Sequence, residues 1–239
     1  MPNSLKRRWP LVVVLTITVA CLSLSSKQTS SVYPGAWETE IAAYEAQDRI
    51  RPPPEQSIVF VGSSSIRLWR TLARDMAPMQ TINRGFGGAT LEDVVHHVDR
   101  IVIPYKPIAI VLFAGTNDVS GPNPKSPTAV VERFTRFVES VYSKLPNTPI
   151  YYIGITPTPT RWPHWNMAQQ ANRMIADHTN TDDRLHYIDT SVGIINKNGK
   201  PNTDLFQADG LHLNQYGYAI WSSIIKPQLL RNLFEDSIQ

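Results

Sequence analysis

The chain has 239 residues, 42% hydrophobic and 18% charged, with 12 Gly, 19 Pro and a single Cys. That composition suits one globular domain and excludes a disulfide scaffold, a collagen-like repeat, a Cys-rich metal module and a disordered tail protein. The formal charge of +3 resides in Lys6, Arg7 and Arg8; without them 20 basic side chains face 20 acidic ones, so no nucleic-acid partner is expected.

Residues 1–26 hold no acidic side chain, and after Arg8 the run from Trp9 to Leu24 is uncharged and mostly apolar. A basic stretch followed by an apolar one is the layout of an export signal. The lone cysteine closes Thr18-Val19-Ala20-Cys21, a small residue before Cys at the end of the apolar run, which resembles the processing site of bacterial lipoproteins. Thr18 stands where Leu is usual. Lipidation at Cys21 is therefore the expectation, and membrane attachment through the N-terminus follows from it. Two other readings stand beside it. The 18 uncharged residues from Trp9 to Ser26 suffice for an uncleaved anchor, and Ser23-Leu24-Ser25 offers a cleavage site for soluble export. All three place the body outside the cytoplasm. With Cys21 in this segment the body has no other thiol, which excludes a disulfide, a thiolate metal site and a Cys nucleophile.

Residues 27–34 are small and polar and read as a flexible tether to a domain over 35–239. Trp37, Ile41, Ala42 and Tyr44 fall at helical spacing, and Pro52-Pro53-Pro54 stops that helix. Ser57–Val61 reads as a buried strand, followed by strand-like runs at Thr81–Asn83, Ile108–Phe113, Pro149–Ile155 and Leu185–Ile188. Helices are predicted around 65–75, 90–102, 127–145, 165–178 and 214–233. The clearest is 127–145, where Val130, Phe134, Phe137, Val138, Val141 and Leu145 share a face behind a Ser126 cap and Pro127. Apolar strands alternating with helices predict an α/β fold, a parallel sheet covered on both faces, without internal repeat or second domain. In such folds ligands sit beyond the carboxyl ends of the strands.

The loops at those ends carry Gly62-Ser63-Ser64-Ser65, then Arg84-Gly85-Phe86-Gly87-Gly88-Ala89-Thr90, then Gly115-Thr116-Asn117-Asp118; Asp209-Gly210-Leu211-His212 lies near the C-terminus. Singly, each is explained as a polar turn, a cap or a tight backbone. Together they fill the roles that acyl transfer needs. A serine at a strand-to-helix turn supplies a nucleophile, and Asp209 lies within a turn's reach of His212 to orient it as base. Gly88 can bring a backbone N–H close, and Asn117 offers amide donors.

These four blocks, in this order on these loops, resemble the SGNH (GDSL-type) hydrolases from about Trp37 to Leu230. The resemblance implies a flavodoxin-like, five-stranded parallel sheet in a three-layer α/β/α sandwich. It implies Ser64 as nucleophile and first oxyanion donor, Gly88 and Asn117 as further donors, and Asp209 and His212 as the rest of a triad. The implied activity is hydrolysis of an acetyl or short acyl ester of a carbohydrate, cell-envelope or lipid-like molecule. Ser63 replaces the Asp that usually precedes the nucleophile, which leaves Ser65 as a rival; alignment of the glycine favours Ser64. The stretch Ile155-Thr-Pro-Thr-Pro-Thr-Arg161-Trp162 looks like a loop of exported members similar to platelet-activating-factor acetylhydrolase. It reads either as substrate contact or as a proline-stiffened loop with Trp162 packed on it.

His96, His97, His164, His178 and His186 lack a metal-ligand spacing, so neither a metal nor a cofactor is expected. Trp69 and Trp221 read as core. The run Gly85-Phe-Gly87-Gly-Ala-Thr90 also prompts a dinucleotide site, but Thr90 stands at the last glycine position and no acidic residue follows at the required distance. A third reading, a catalytically inactive surface-binding protein on the same fold, is opposed by the complete triad. For the N-terminus, fatty acid supplied to producing cells is expected to label the wild-type chain and not a Cys21→Ser variant; label that persists in the variant overturns lipidation at Cys21.

Overall fold

Strands that are apolar on both faces must be covered on both, and this chain covers them with helices. A computed structural model describes residues 36–235; the export segment, Cys21 and the tether lie outside the described residues. In chain order come α1 (Glu38–Ile50), β1 (Ile58–Gly62), α2 (Ser64–Arg67), α3 (Leu72–Met76), β2 (Thr81–Gly85), α4 (Leu91–Ile101) and β3 (Ala109–Phe113). Then follow α5 (Thr116–Ser120), α6 (Pro127–Tyr142), β4 (Ile150–Ile153), α7 (Trp165–Thr179), β5 (Leu185–Ile188), α8 (Ser191–Ile194) and α9 (Gln215–Leu230).

The sheet order is β2-β1-β3-β4-β5 with every neighbour parallel, the flavodoxin-like arrangement. Alternate residues of each strand feed separate cores. Val59, Val61, Ile110, Leu112 and Tyr152 pack with the apolar faces of α4, α6 and α7. Ile58, Phe60, Val111, Phe113, Tyr151 and Ile153 pack with α3 and α9, and Trp69 and Trp221 belong to this second core, both fully buried. Two cores separated by one sheet make three layers.

Chain direction reverses at the sheet's middle: β1 leads outward to β2, and the chain then returns past β1 to β3. The register sets Gly62 level with Gly85 on one side and Phe113 on the other, so the loops after these strands emerge side by side. Gly62 holds this junction together. Its φ is +136°, and a Cβ there would lie 1.9 Å from the Phe113 carbonyl oxygen.

The structure departs from the sequence reading in places, for identifiable reasons. The helix expected over 65–75 is two short pieces, because Trp69 turns inward between them, stacks on Tyr218 and donates its Nε1–H to Asp75 at 2.8 Å. The strand expected to reach Ile155 stops at Ile153, since the Asn172 side chain takes over the Ile155 backbone, accepting from its N–H at 2.8 Å and donating to its carbonyl at 2.9 Å. The last helix keeps α geometry to Leu230 and ends in a π-helical turn over Arg231–Glu235. Two short helices, α5 and α8, have too few residues to show periodicity in the sequence.

Gly62→Ala is expected to cost about 3 kcal/mol or more, from collision with Phe113 added to the strain of positive φ. Gly199 also has a positive φ, +70°, but open space around it, so Gly199→Ala isolates the strain, about 1 kcal/mol. Urea unfolding of the two variants reads the difference, and equal costs would remove the steric account of Gly62.

Candidate active site

Because α2 starts immediately after β1, its first residue, Ser64, stands at the rim of the sheet. Ser63 caps the helix in extended conformation and donates its N–H to the Phe113 carbonyl at 2.9 Å. The two candidate serines, Ser64 and Ser65, both line the cavity described below but differ in their contacts. Ser64 Oγ lies 2.9 Å from His212 Nε2, whereas Ser65 uses its carbonyl to accept the Tyr218 hydroxyl at 2.8 Å.

Asp209 organises the other side. One carboxylate oxygen accepts the backbone N–H of Leu211 at 2.9 Å and of His212 at 3.0 Å; the other meets His212 Nδ1 at 2.6 Å. With Nδ1–H donated to the carboxylate, Nε2 is left to accept the Ser64 hydroxyl proton. Partial burial pushes the Asp209 pKa up, but the hydrogen bonds from His212 and Leu211 outweigh it and hold the carboxyl below its ordinary value. The carboxylate stays ionised and keeps the ring oriented. The Asp209-Gly210 turn is itself clamped by Thr160, whose N–H donates to the Gly210 carbonyl at 3.0 Å and whose hydroxyl donates to the Asp209 carbonyl at 2.6 Å.

Asn117 stands in the first turn of α5, with one amide N–H donated to the Ala89 carbonyl at 3.0 Å. That bond staples the loop after β3 to the glycine loop after β2 and leaves the amide's second N–H available. Ser64, Asn117 and His212 line one cavity of about 20 Å³, walled by Phe113, Thr116, Thr156, Thr158, Phe206, Leu211, Leu213 and Trp221. Gly88 has φ +74° and adjoins Ala89, but it does not line this cavity. Among the described residues no group of three or more His, Cys, Asp or Glu is placed to hold a metal, and no helix is long and apolar enough to cross a membrane.

Residues 57–220 match a family of known proteins, the GDSL-like lipase/acylhydrolases. The chain belongs to that family. No curated protein matches its sequence. Among solved structures, this acylhydrolase is similar to a Streptococcus pneumonia protein named for platelet activating factor, at 21% identity and a TM-score of 0.70, covering 80% of this chain and 92% of that one. It is also similar to a GDSL-like lipase from Bacteroides thetaiotaomicron, at 20% identity and a TM-score of 0.69, over 81% and 98% of the two chains. An acetyl-xylooligosaccharide esterase from Geobacillus Stearmophilus shares 17% identity at a TM-score of 0.57, over 75% and 94%. At these identities the likeness concerns the fold.

The acylhydrolase site also rests on residues to which the sequence assigned no individual role. Asp118 is buried beneath Asn117, bound to the Arg133 guanidinium at 2.6 Å and to the Leu91 N–H at 3.0 Å. Burial pushes its pKa up, against the pull of Arg133 and the Leu91 N–H. Arg161 ties the proline-rich loop to α5 by donating to the Ser120 carbonyl, and burial draws its pKa down. Trp162 is packed, as one of the two sequence readings had it: it stacks on Trp165 at 6.1 Å, with the Lys200 ammonium 4.7 Å from its ring centre. Of the paired histidines, His96 faces solvent while His97 is buried against Phe86. Asp118 stood in the Gly115-Thr116-Asn117-Asp118 block without a role of its own, and Arg133, its partner, lies 15 residues on.

Asp118→Ala is expected to destabilise the protein by about 2–3 kcal/mol, since it removes the buried partner of a mostly buried Arg133 and leaves that guanidinium only Glu92, at 3.5 Å. Thermal or urea unfolding measures it, and a cost below about 1 kcal/mol would place the pair among ordinary surface ion pairs.

Proposed function

We propose that this acylhydrolase is a serine esterase that removes acetyl or similarly short acyl groups from hydroxyls of a carbohydrate or cell-envelope molecule. The observation that carries the reading is the unbroken chain Ser64 Oγ, His212 Nε2, His212 Nδ1, Asp209 Oδ2, with contacts of 2.9 and 2.6 Å. Ser64 Oγ attacks the ester carbonyl carbon while His212 Nε2 takes the hydroxyl proton. The tetrahedral oxygen is met by the N–H groups of Ser64 and Gly88 and by the free Asn117 amide N–H, and His212 returns the proton to the departing alcohol oxygen. Water, deprotonated by the same nitrogen, then releases the acid and restores Ser64. Asp209 keeps its charge throughout and stabilises the imidazolium.

Size supports a short acyl group. A cavity of about 20 Å³ has room for one or two water-sized groups, so it accepts a methyl or ethyl and not an extended chain. The alcohol side is open, as the half-exposed Asp209 carboxylate beside it indicates, so a bulky sugar can remain outside. That the acetyl-xylooligosaccharide esterase shares the fold is consistent with such a substrate. The same proposal has the enzyme exported and tethered through Cys21, where envelope esters are found.

Hydrolysis of p-nitrophenyl acetate, butyrate and octanoate by wild type and Ser64→Ala tests both parts. Ser64→Ala is expected to lose several orders of magnitude in kcat, with His212→Ala adding little to it because the members act as a unit. Full activity in Ser64→Ala removes the nucleophile assignment. Separately, kcat/KM is expected to fall at least about tenfold from acetate to octanoate, roughly the value of one or two misplaced methylenes; equal or better hydrolysis of octanoate removes the short-acyl reading.

A further inference from the structure

A second hollow, of about 460 Å³, lies along the free edge of β2, between the C-terminal half of α1 and the turn joining α2 to α3. Four arginines line it, Arg51, Arg67, Arg70 and Arg84, against a single carboxylate, Asp48. That carboxylate is already committed: one oxygen holds Arg84 and the other accepts the Tyr105 hydroxyl. Arg51, Arg67 and Arg70 are exposed, and their side chains have no hydrogen-bonded or ionic partner among the described residues. Of the other surface arginines, Arg74, Arg100, Arg136 and Arg184 meet a carboxylate while Arg49, Arg173 and Arg231 do not among the described residues, and none of the seven lines this hollow. Three guanidinium groups without a counter-ion around one concavity give it a positive potential that favours an anion.

We propose that this hollow is an anion-binding site, for a small ligand carrying two or more phosphate or carboxylate groups. Guanidinium forks match both groups in bidentate geometry, and several together set the spacing of the anions they accept. The volume is that of a small-molecule site. A nucleic acid needs an extended basic surface, which the neutral body lacks, and the cations face a concavity rather than a plane, which disfavours a membrane. Arg67 connects the hollow to the chemistry. It is one helical turn, about 5 Å, from Ser64 on α2, and its guanidinium lies along Gly87, where an added Cβ would be 3.1 Å from Nη2. The site therefore opens beside the loop that carries Gly88.

The inference stands apart from the esterase reading, because binding is measured on the full chain carrying Ser64→Ala, without turnover. Pyrophosphate and trigalacturonate are titrated in separate calorimetric experiments at low and at physiological salt. Saturable binding of either is expected, weaker at the higher salt, and the tighter of the two identifies phosphate or carboxylate as the group recognised. Arg51→Glu with Arg70→Glu is expected to weaken it at least about tenfold. Should the reversed variant melt early, Arg51→Gln with Arg70→Gln gives the same reading through a smaller loss. Absence of saturable binding for both anions at low salt overturns the proposal. So does undiminished binding by a folded double variant, or capture by phosphatidylglycerol vesicles in the absence of binding to either soluble anion.

Discussion

The contact on which the site depends is between backbones. Gly62 lies so close to the Phe113 carbonyl that no side chain fits between them, and the next residue, Ser63, donates its N–H to that same carbonyl. This fixes the ends of β1 and β3 at the point where the chain's direction across the sheet reverses. From one end α2 starts with Ser64, from the other α5 starts with Thr116 and Asn117. Their relative positions are therefore set by a backbone hydrogen bond of 2.9 Å and a steric limit.

Around this junction the acylhydrolase uses polar side chains as struts. Asp118 joins α5 to α4 and α6 through Leu91 and Arg133, Asn117 joins the loop after β3 to the glycine loop, and Thr160 joins the loop after β4 to the Asp209 turn. Each strut links segments far apart in sequence. Donors and a base held by such contacts do not need to reorganise as charge develops, which is the condition under which electrostatic stabilisation is most effective.

The fold was legible because its strands are apolar on both faces and its helices on one, so period and burial agreed. Val130, Phe134, Phe137, Val138 and Val141 all reach the core as their spacing implied, and only Leu145 falls beyond the end of its helix. Helix and strand ends were less legible, since they are decided by single side chains acting from a distance, Trp69 turning inward and Asn172 capturing Ile155. Ser64, Asp209, His212 and Asn117 were candidates by residue type, and Ser64, His212 and Asp209 stand within hydrogen-bond reach of one another. Asp118, Arg133, Thr160 and Arg161 act by touching residues 15 to 49 positions away, and no local pattern encodes that. Gly88 was read from its lack of a side chain, and it is not among the residues that line the cavity.

The contact between His212 and Ser64 spans 148 residues. It closes only when the segment before α9 returns to the first strand of the sheet, which makes it one of the longest loops the folding chain must close, and an entropically costly one. A chain still emerging from the ribosome, or kept unfolded in transit, has the serine but not the histidine beside it. Ser64 thus lacks its imidazole partner until the last part of the domain docks, and appearance of the pair is a marker of completed folding.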